Sequence, residues 1–262
     1  MDLRLAGKKV LVTGSTAGIG FATALKFAAE GASVVLNGRT QERVDWALAE
    51  IRKSHPGAQV SGVANDVSNA AGCVKLVQAV PQVDVLVNNM GIFEPKPFEK
   101  IPDADWLRFF EANVLSGVRL SRHYLQGMRE KNWGRIIFVS SESAVQIPAE
   151  MIHYGMTKTA QVAVARGIAE SVAGTGITVN SVLAGPTRSE GVETFIAQMG
   201  GSGDSAAFET EFFKNIRPTS LLKRFETTEE VAHMIVYLSS PLASGTTGAA
   251  VRVDGGVVRA IL

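Results

Sequence analysis

Two hydrophobic periods alternate along the chain. Short β-branched runs at Lys9 to Val12, Ser33 to Leu36, Gln59 to Val63, Val83 to Val87, Arg135 to Val139, Ile177 to Val182 and Ala249 to Val253 read as buried parallel strands. Longer stretches between them carry helical spacing. Phe21, Ala24, Leu25 and Ala28 fall at i, i+3, i+4 and i+7, as do Val231, Met234, Ile235 and Leu238, and Leu107, Phe110, Val114 and Val118 make a similar stripe. Such alternation requires right-handed crossovers and a sheet covered on both faces. The pattern predicts an α/β fold, a doubly wound parallel sheet of seven strands in one domain over residues 1–262.

Residues 187–222 break the rhythm. A glycine- and serine-rich stretch, Gly200 to Ser205, is flanked by Phe195, Ile196 and Met199 on one side and by Phe208, Phe212 and Phe213 on the other. A long excursion late in an α/β domain is expected to be a helical lid over a binding site; the plainer reading is a surface insertion.

Composition narrows the function classes. The 262 residues are 46% hydrophobic and 19% charged, enough for a sizeable core in one unit. Lys plus Arg is 26 against 25 for Asp plus Glu, a net charge of +1 that gives no reason to expect nucleic acid or an anionic membrane as partner. The single cysteine, Cys73, excludes an internal disulfide and a cysteine-rich zinc site. Asp2 at the start and the lack of an apolar h-region argue against a signal peptide, and no run approaches the ~20 apolar residues of a membrane span. The expected compartment is the cytoplasm.

The first strand runs into Thr13-Gly14-Ser15-Thr16-Ala17-Gly18-Ile19-Gly20 and then a helix. Glycines keep such a turn tight and let a ligand approach the backbone, and the free N–H groups of the helix start suit a pyrophosphate. The spacing is neither G-x-G-x-x-G nor a P-loop, so alone it is also compatible with an ordinary turn. The second strand ends in Gly38-Arg39. An acidic residue there would bind the adenosine ribose of NAD(H), whereas an arginine favours the 2′-phosphate of NADP(H). NADP(H) is therefore expected over NAD(H). Asp66, after the third strand, can accept a hydrogen bond from an adenine amino group with Val67 flanking the ring, or it can cap the helix beginning near Ser68. Asn88-Asn89-Met90-Gly91 follows the fourth strand, where Asn89 and Gly91 can pin neighbouring strand ends and pass close to a cofactor.

Tyr154 and Lys158 are i and i+4, hence on one helical face. A nearby ammonium favours phenolate, which would make Tyr154 a general acid/base near neutral pH. Ser141 ends the fifth strand thirteen residues earlier, at the sheet edge where ligands bind, and can hydrogen-bond a carbonyl. Asn113 is a poor helix former inside an apolar helix and predicts a local kink or a water site.

Together these residues resemble the classical short-chain dehydrogenase/reductase family over almost the whole chain. Thr13-Gly14-x3-Gly18-x-Gly20 resembles its cofactor motif, Asn88-Asn89-Met90-Gly91 its Asn-Asn-Ala-Gly motif, and Asn113, Ser141, Tyr154 and Lys158 its catalytic tetrad in order and spacing. Val179-Asn180-Ser181, the turn Gly185-Pro186-Thr187 and Val253-Asp254-Gly255-Gly256 resemble its later signatures. Met90 replaces the usual alanine, and Gly185-Pro186 reverses the usual Pro-Gly order. The resemblance implies a Rossmann-type fold and hydride exchange between a nicotinamide and a carbonyl or secondary alcohol. Tyr154 would exchange the proton, Ser141 hold the substrate oxygen, and Lys158 lower the Tyr154 pKa and bind the nicotinamide ribose. Asn113 would hold a water linking Lys158 to solvent, and N–H groups near Ile92 and Thr187, with Gly185, would seat the nicotinamide. It also implies a homodimer or homotetramer, with a dimer surface on the helices around 104–130 and 153–173.

Ile92, Phe93, Glu94, Ser143, Gln146, Pro148, Met151, Phe195, Met199 and Phe212 are candidate pocket walls, a mostly apolar set that fits a ketone, an aldehyde or a 3-oxoacyl thioester. His153 points about 100° away from Tyr154 on the helix and suits a structural role. Arg129, Lys131, Arg188 and Arg224 would greet an acidic acyl carrier if they formed a patch. The alternatives are a 3-oxoacyl-[acyl-carrier-protein] reductase-like enzyme, a non-catalytic dinucleotide-sensing protein, and a sugar-nucleotide epimerase, for whose usual second domain the chain has little room.

Overall fold

The computed structural model describes residues 1–190 and 205–261. Its strands are β1 (Lys9–Val12), β2 (Ser33–Gly38), β3 (Val60–Ala64), β4 (Val85–Asn88), β5 (Gly134–Ser141), β6 (Ile177–Ala184) and β7 (Ala250–Val253). All pair in parallel, in the order β3-β2-β1-β4-β5-β6-β7. The order reverses between β1 and β4, and the loops leaving these two strands diverge into a crevice at their C-terminal ends. This is the Rossmann-type doubly wound sheet that the hydrophobic runs predicted.

Side-chain alternation explains the two cores. Val10 and Val12 of β1 face one side with Val34, Leu36, Val85 and Val87, under Phe27 of α1 (Gly18–Ala29), Val44 and Ile51 of α2 (Gln41–Ser54) and Ile235 of α8 (Thr228–Leu238). Leu11, Val35, Leu86, Ile136 and Phe138 face the other side, under Leu76 of α3 (Ala70–Ala79), Leu120 and Met128 of α5 (Ser116–Glu130) and Ala165 of α6 (Ile152–Ser171). Truncating a fully buried ring such as Phe27 to alanine costs roughly 3–5 kcal/mol. A third, smaller cluster stands above the strand ends. Here Phe212 and Phe213 of α7 (Ser205–Asn215) pack with Met151 and Phe225, with Tyr154 partly buried against them.

Three expectations shift. Strand β5 ends at Ser141 as expected, but β6 runs two residues past its apolar run to Ala184, because Leu183 and Ala184 pair with Ser140 and Ser141, which are buried despite being polar. Asn69, not Asp66, caps α3, accepting from Gly72 N at 2.9 Å. The stripe Leu107-Phe110-Val114-Val118 is not one face: α4 (Asp103–Phe110) joins α5 through a π turn at Glu111–Leu115. The wider turn rotates α4 relative to α5, so Phe109 is buried while Leu107 is 71% exposed. Asn113 sits inside that π turn, the local departure its poor helix propensity predicted.

No helix among the described residues is long and apolar enough to cross a membrane. The lid candidates Phe195, Ile196 and Met199 lie outside the described residues.

Candidate active site

The crevice between β1 and β4 is built from backbone. Gly14 and Gly18 adopt φ of +59° and +55°, a region that only glycine enters freely. A Cβ on Gly20 would stand 2.4 Å from both Asn89 Nδ2 and Gly14 O. Asn89 locks this turn by donating to the carbonyls of Thr13 and Gly14 at 2.9 and 3.0 Å. Thr13 Oγ1 accepts from the N–H groups of Asn89 and Met90, each at 3.0 Å. The Ser15 hydroxyl turns inward, donating to Val12 O at 2.7 Å and accepting from Asn37 N at 2.9 Å. The Ser15 N–H donates to Asn37 O at 2.8 Å, so of the expected ligands in this turn Ser15 is spent on the chain itself.

At the end of β2, Gly38 has a steric reason. A Cβ there would meet Thr16 Cγ2 at 2.4 Å and Val44 Cγ2 at 3.2 Å, so glycine lets the Thr16 methyl close over the strand end. Arg39 is exposed and has no hydrogen-bond or ion-pair partner among the described residues. Asp66 is exposed and accepts from Ser68 N at 2.9 Å. Val67 corrects an expectation: it is 2% exposed and belongs to the core with Leu11 and Cys73, so its side chain does not present a face for an adenine ring. Met90 likewise packs toward that core, which is how this position tolerates a residue larger than alanine.

One cavity at the strand ends is lined by Ile19, Asn89, Gly91, Ser141, Tyr154, Lys158, Gly185 and Thr187. It therefore joins the start of the glycine-turn helix to the expected Ser-Tyr-Lys set. Lys158 Nζ donates to Val139 O at 2.9 Å and lies 5.5 Å from the centre of the Tyr154 ring. Burial lowers its pKa to about 8. Burial, aided by the Glu142 charge, raises the Tyr154 phenol, against the opposing pull of Ser141 and Arg217. The expected depression of Tyr154 by Lys158 is thus not what the geometry gives; desolvation wins, and the phenol keeps its proton.

Asn113 is fully buried and its side chain is spent on the chain itself. Its Oδ1 accepts from Ile92 N at 2.7 Å, and its Nδ2 donates to Ile92 O and Thr157 Oγ1, each at 3.0 Å. Gln161 Nε2 donates to the Asn113 carbonyl at 2.6 Å. One implied role is thereby corrected: the Asn113 side-chain amide pins the Gly91-Ile92 loop, so the Ile92 N–H is already used. Asn113 Oδ1 and Lys158 Nζ converge on Gly91, each 3.5 Å from where a Cβ would stand, which is ordinary contact.

The reversed Gly185-Pro186 order has a packing cause. A Cβ at position 185 would stand 2.6 Å from Asp254 Cα and 2.6 Å from Glu226 Oε2. Gly185 N donates to Val253 O at 2.7 Å, and Thr187 Oγ1 donates to Gly185 O at 2.9 Å. Beneath this turn Glu226 is 3% exposed with Oε2 lacking a hydrogen-bond partner among the described residues, and burial together with the Asp254 charge raises it to about 7.

Of the candidate walls, Phe93, Ser143, Met151 and Phe212 line the cavity. Glu94 instead pairs with Arg108 and Lys96, and Ile92, Gln146 and Pro148 stand back from it. Sequence reasoning missed Glu142, Glu150, Arg217 and Phe225, which do line it. The available signal was Glu142 itself, a charged residue directly after a buried strand end. His153 is fully buried against Phe109, ring centroids 4.0 Å apart, consistent with a structural role. Lys131, Arg188 and Arg224 are paired with Asp84, Glu209 and Glu230, and Arg129 donates to Ser171 O.

A sheet of this order with a glycine turn at its reversal point defines a dinucleotide-binding oxidoreductase fold. Residues 14–258 match the family profile described as Enoyl-(Acyl carrier protein) reductase. The chain is 48% identical to the uncharacterized oxidoreductase YvaG of Bacillus subtilis (strain 168), over 100% of both chains. It is 30% identical to the 3-oxoacyl-[acyl-carrier-protein] reductase FabG of Aquifex aeolicus (strain VF5), over 98% of this chain and 100% of the relative. Among solved structures, the L-sorbose reductase of Gluconobacter frateurii complexed with NADPH and L-sorbose superposes with a TM-score of 0.92 at 30% identity, covering 100% of both chains. The protein belongs to the short-chain dehydrogenase/reductase family, whose members bind nicotinamide dinucleotides.

Proposed function

We propose that the protein is an NADP(H)-dependent oxidoreductase that interconverts a small carbonyl compound and its alcohol. The observation that carries this reading is the single cavity in which Ser141, Tyr154 and Lys158 meet the Gly91 loop and the start of α1. The residues fit the dinucleotide. Gly14 and Gly18 supply the left-handed backbone and Gly20 the close approach of a cradle for the pyrophosphate, with Thr16 and Ile19 beside it. Arg39, without a partner among the described residues and beside a position that carries no acidic side chain, suits a 2′-phosphate. Asn89 and Gly91 bound the middle of the crevice, and Gly185 and Thr187 the nicotinamide end, with Asp66 in reach of an adenine edge.

The bound cofactor supplies the hydride. Tyr154 holds the proton for the substrate oxygen, since burial keeps the phenol protonated. Ser141 orients that oxygen, and Lys158 is a buried cation whose field favours negative charge developing at the Tyr154 oxygen as its proton leaves. Asn113 acts on position, holding the Gly91-Ile92 loop at 2.7 Å. The Phe212 cluster of α7 stands on the lid side of the cavity. A non-catalytic sensor would not need Tyr154 and Lys158 facing one cavity. The NADPH complex of the L-sorbose reductase supports the cofactor reading, and the likeness to FabG keeps a 3-oxoacyl thioester as the second substrate class. Exposed Phe98, Leu107 and Phe110 favour a homodimer or homotetramer, which sedimentation reads directly.

Tyr154→Phe is the test. It removes the proton and keeps the ring, so NADPH-dependent carbonyl reduction falls by at least about a thousandfold while NADPH binding, read by nicotinamide fluorescence, persists. Turnover close to the parent enzyme contradicts the role.

A further inference from the structure

The cavity wall opposite the glycine turn carries charges that the reaction does not require. Glu142, directly after Ser141, is 3% exposed and opens a short 3-10 turn. Its Oε2 accepts from the Ser141 hydroxyl, from Ser143 N at 2.5 Å and from Ser143 Oγ at 2.8 Å. Its Oε1 accepts from Arg217 Nε at 2.8 Å. Arg217, just beyond α7 and 8% exposed, also donates through Nη1 to Glu150 Oε1 at 3.1 Å and to Ile216 O at 3.0 Å. Two carboxylates therefore share one guanidinium, and all three residues line the cavity that holds Tyr154. Burial opposes the Arg217 charge, but Glu142 and Glu150 outweigh it and raise its pKa.

Two groups of this triad have no protein partner among the described residues: Glu150 Oε2, an acceptor on a side chain 36% exposed, and Arg217 Nη2, a donor. An acceptor and a donor offered together match a hydroxyl, which both donates and accepts. They do not match a carboxylate or phosphate, which only accepts and would face two negative charges against one positive.

We propose that Glu142, Arg217 and Glu150 form the specificity wall of the substrate site, selecting uncharged hydroxy ketones, or the corresponding vicinal diols, over keto acids. This rests on the oxidoreductase reading above. Glu142 is a positioning residue: its carboxylate holds the Ser141 hydroxyl at the cavity wall in the free enzyme, and Ser141 turns that proton to the substrate oxygen when the carbonyl arrives. Glu150 and Arg217 meet the substrate hydroxyl.

The test compares butanone, hydroxybutanone and oxobutanoate, which differ only in carrying a methyl, a hydroxymethyl or a carboxylate beside the ketone. With the full-length protein and NADPH, hydroxybutanone is expected to exceed butanone by about tenfold in kcat/KM, the effect of one hydrogen bond to a charged group. Oxobutanoate is expected at least about tenfold below hydroxybutanone. Glu150→Gln keeps the shape and removes one charge, and it compresses the gap between hydroxybutanone and oxobutanoate by about tenfold. A parent enzyme that prefers oxobutanoate, or a Glu150→Gln gap equal to the parent's, overturns the proposal. If the triad only tethers α7, the variant lowers the melting temperature and leaves the kcat/KM ratios among the three compounds unchanged, which also overturns it. If none of the three consumes NADPH, the oxidoreductase reading fails on its own. Protection from thermal unfolding by each compound then reads the wall's preference without turnover, with hydroxybutanone expected first and an oxobutanoate preference fatal.

Discussion

Lys158 and Tyr154 stand one turn apart on α6, yet the Lys158 ammonium reaches the carbonyl of Val139 at 2.9 Å and lies 5.5 Å from the Tyr154 ring centre. The amine is anchored to β5, and the phenol rests against the aromatic cluster of α7. Burial therefore acts on each group separately, lowering the lysine and raising the tyrosine.

This separation sets a pH dependence. Lys158 is charged below about 8 and neutral above it, and the charged form is the one that stabilises negative charge beside Tyr154. The kcat/KM of carbonyl reduction should therefore decline as pH rises through about 8, since that ratio reports the free enzyme. A profile between about pH 6 and about pH 10 checks this; a flat plateau past about pH 9 contradicts it.

Arg39 gives a cofactor prediction. Arg39→Ala should weaken NADPH by about tenfold or more, the loss of one charge-assisted contact to phosphate, and change NADH little. Fluorescence titrations with both dinucleotides decide it. An equal loss for both would assign Arg39 to the adenosine generally rather than to a 2′-phosphate.

Glu226 gives a stability prediction. Its carboxyl titrates at about 7 in the folded protein against an ordinary 4.5. Between these values the folded state retains a proton that the unfolded chain has released, so stability falls as pH rises through this window, and the penalty is complete above about 7. Glu226→Gln should therefore gain roughly 1–3 kcal/mol relative to the parent on going from about pH 5 to about pH 8. Melting curves at the two pH values measure the gain; parallel shifts for both proteins would remove Glu226 as the cause.

The sheet was legible because buried parallel strands are written as continuous β-branched runs, and all seven appear where those runs lie. The Ser141, Tyr154 and Lys158 constellation was legible because strand ends and i, i+4 pairs convert spacing into proximity. The Glu142–Arg217 pair was not, because its members are 75 positions apart and meet only when α7 folds over the strand ends. Periodicity also misplaced Leu107, since a stripe assumes a uniform turn and Glu111–Leu115 breaks it. Val67 and Ile92 N were assigned outward roles, and neither burial nor an internal partner such as Asn113 is visible in a motif.

The wide turn at Glu111–Leu115 holds one residue more than a straight rod of the same length needs. Removing a single residue there would let the segment from Asp103 to Glu130 wind as one even cylinder, but its first half would swing by about 100° about its own axis. Phe109 would leave His153, Leu107 or Phe110 would be driven inward, and the amide that ties down Ile92 would face elsewhere. A helix that looks merely irregular thus keeps time between two surfaces: an outer flank and the floor beneath Lys158.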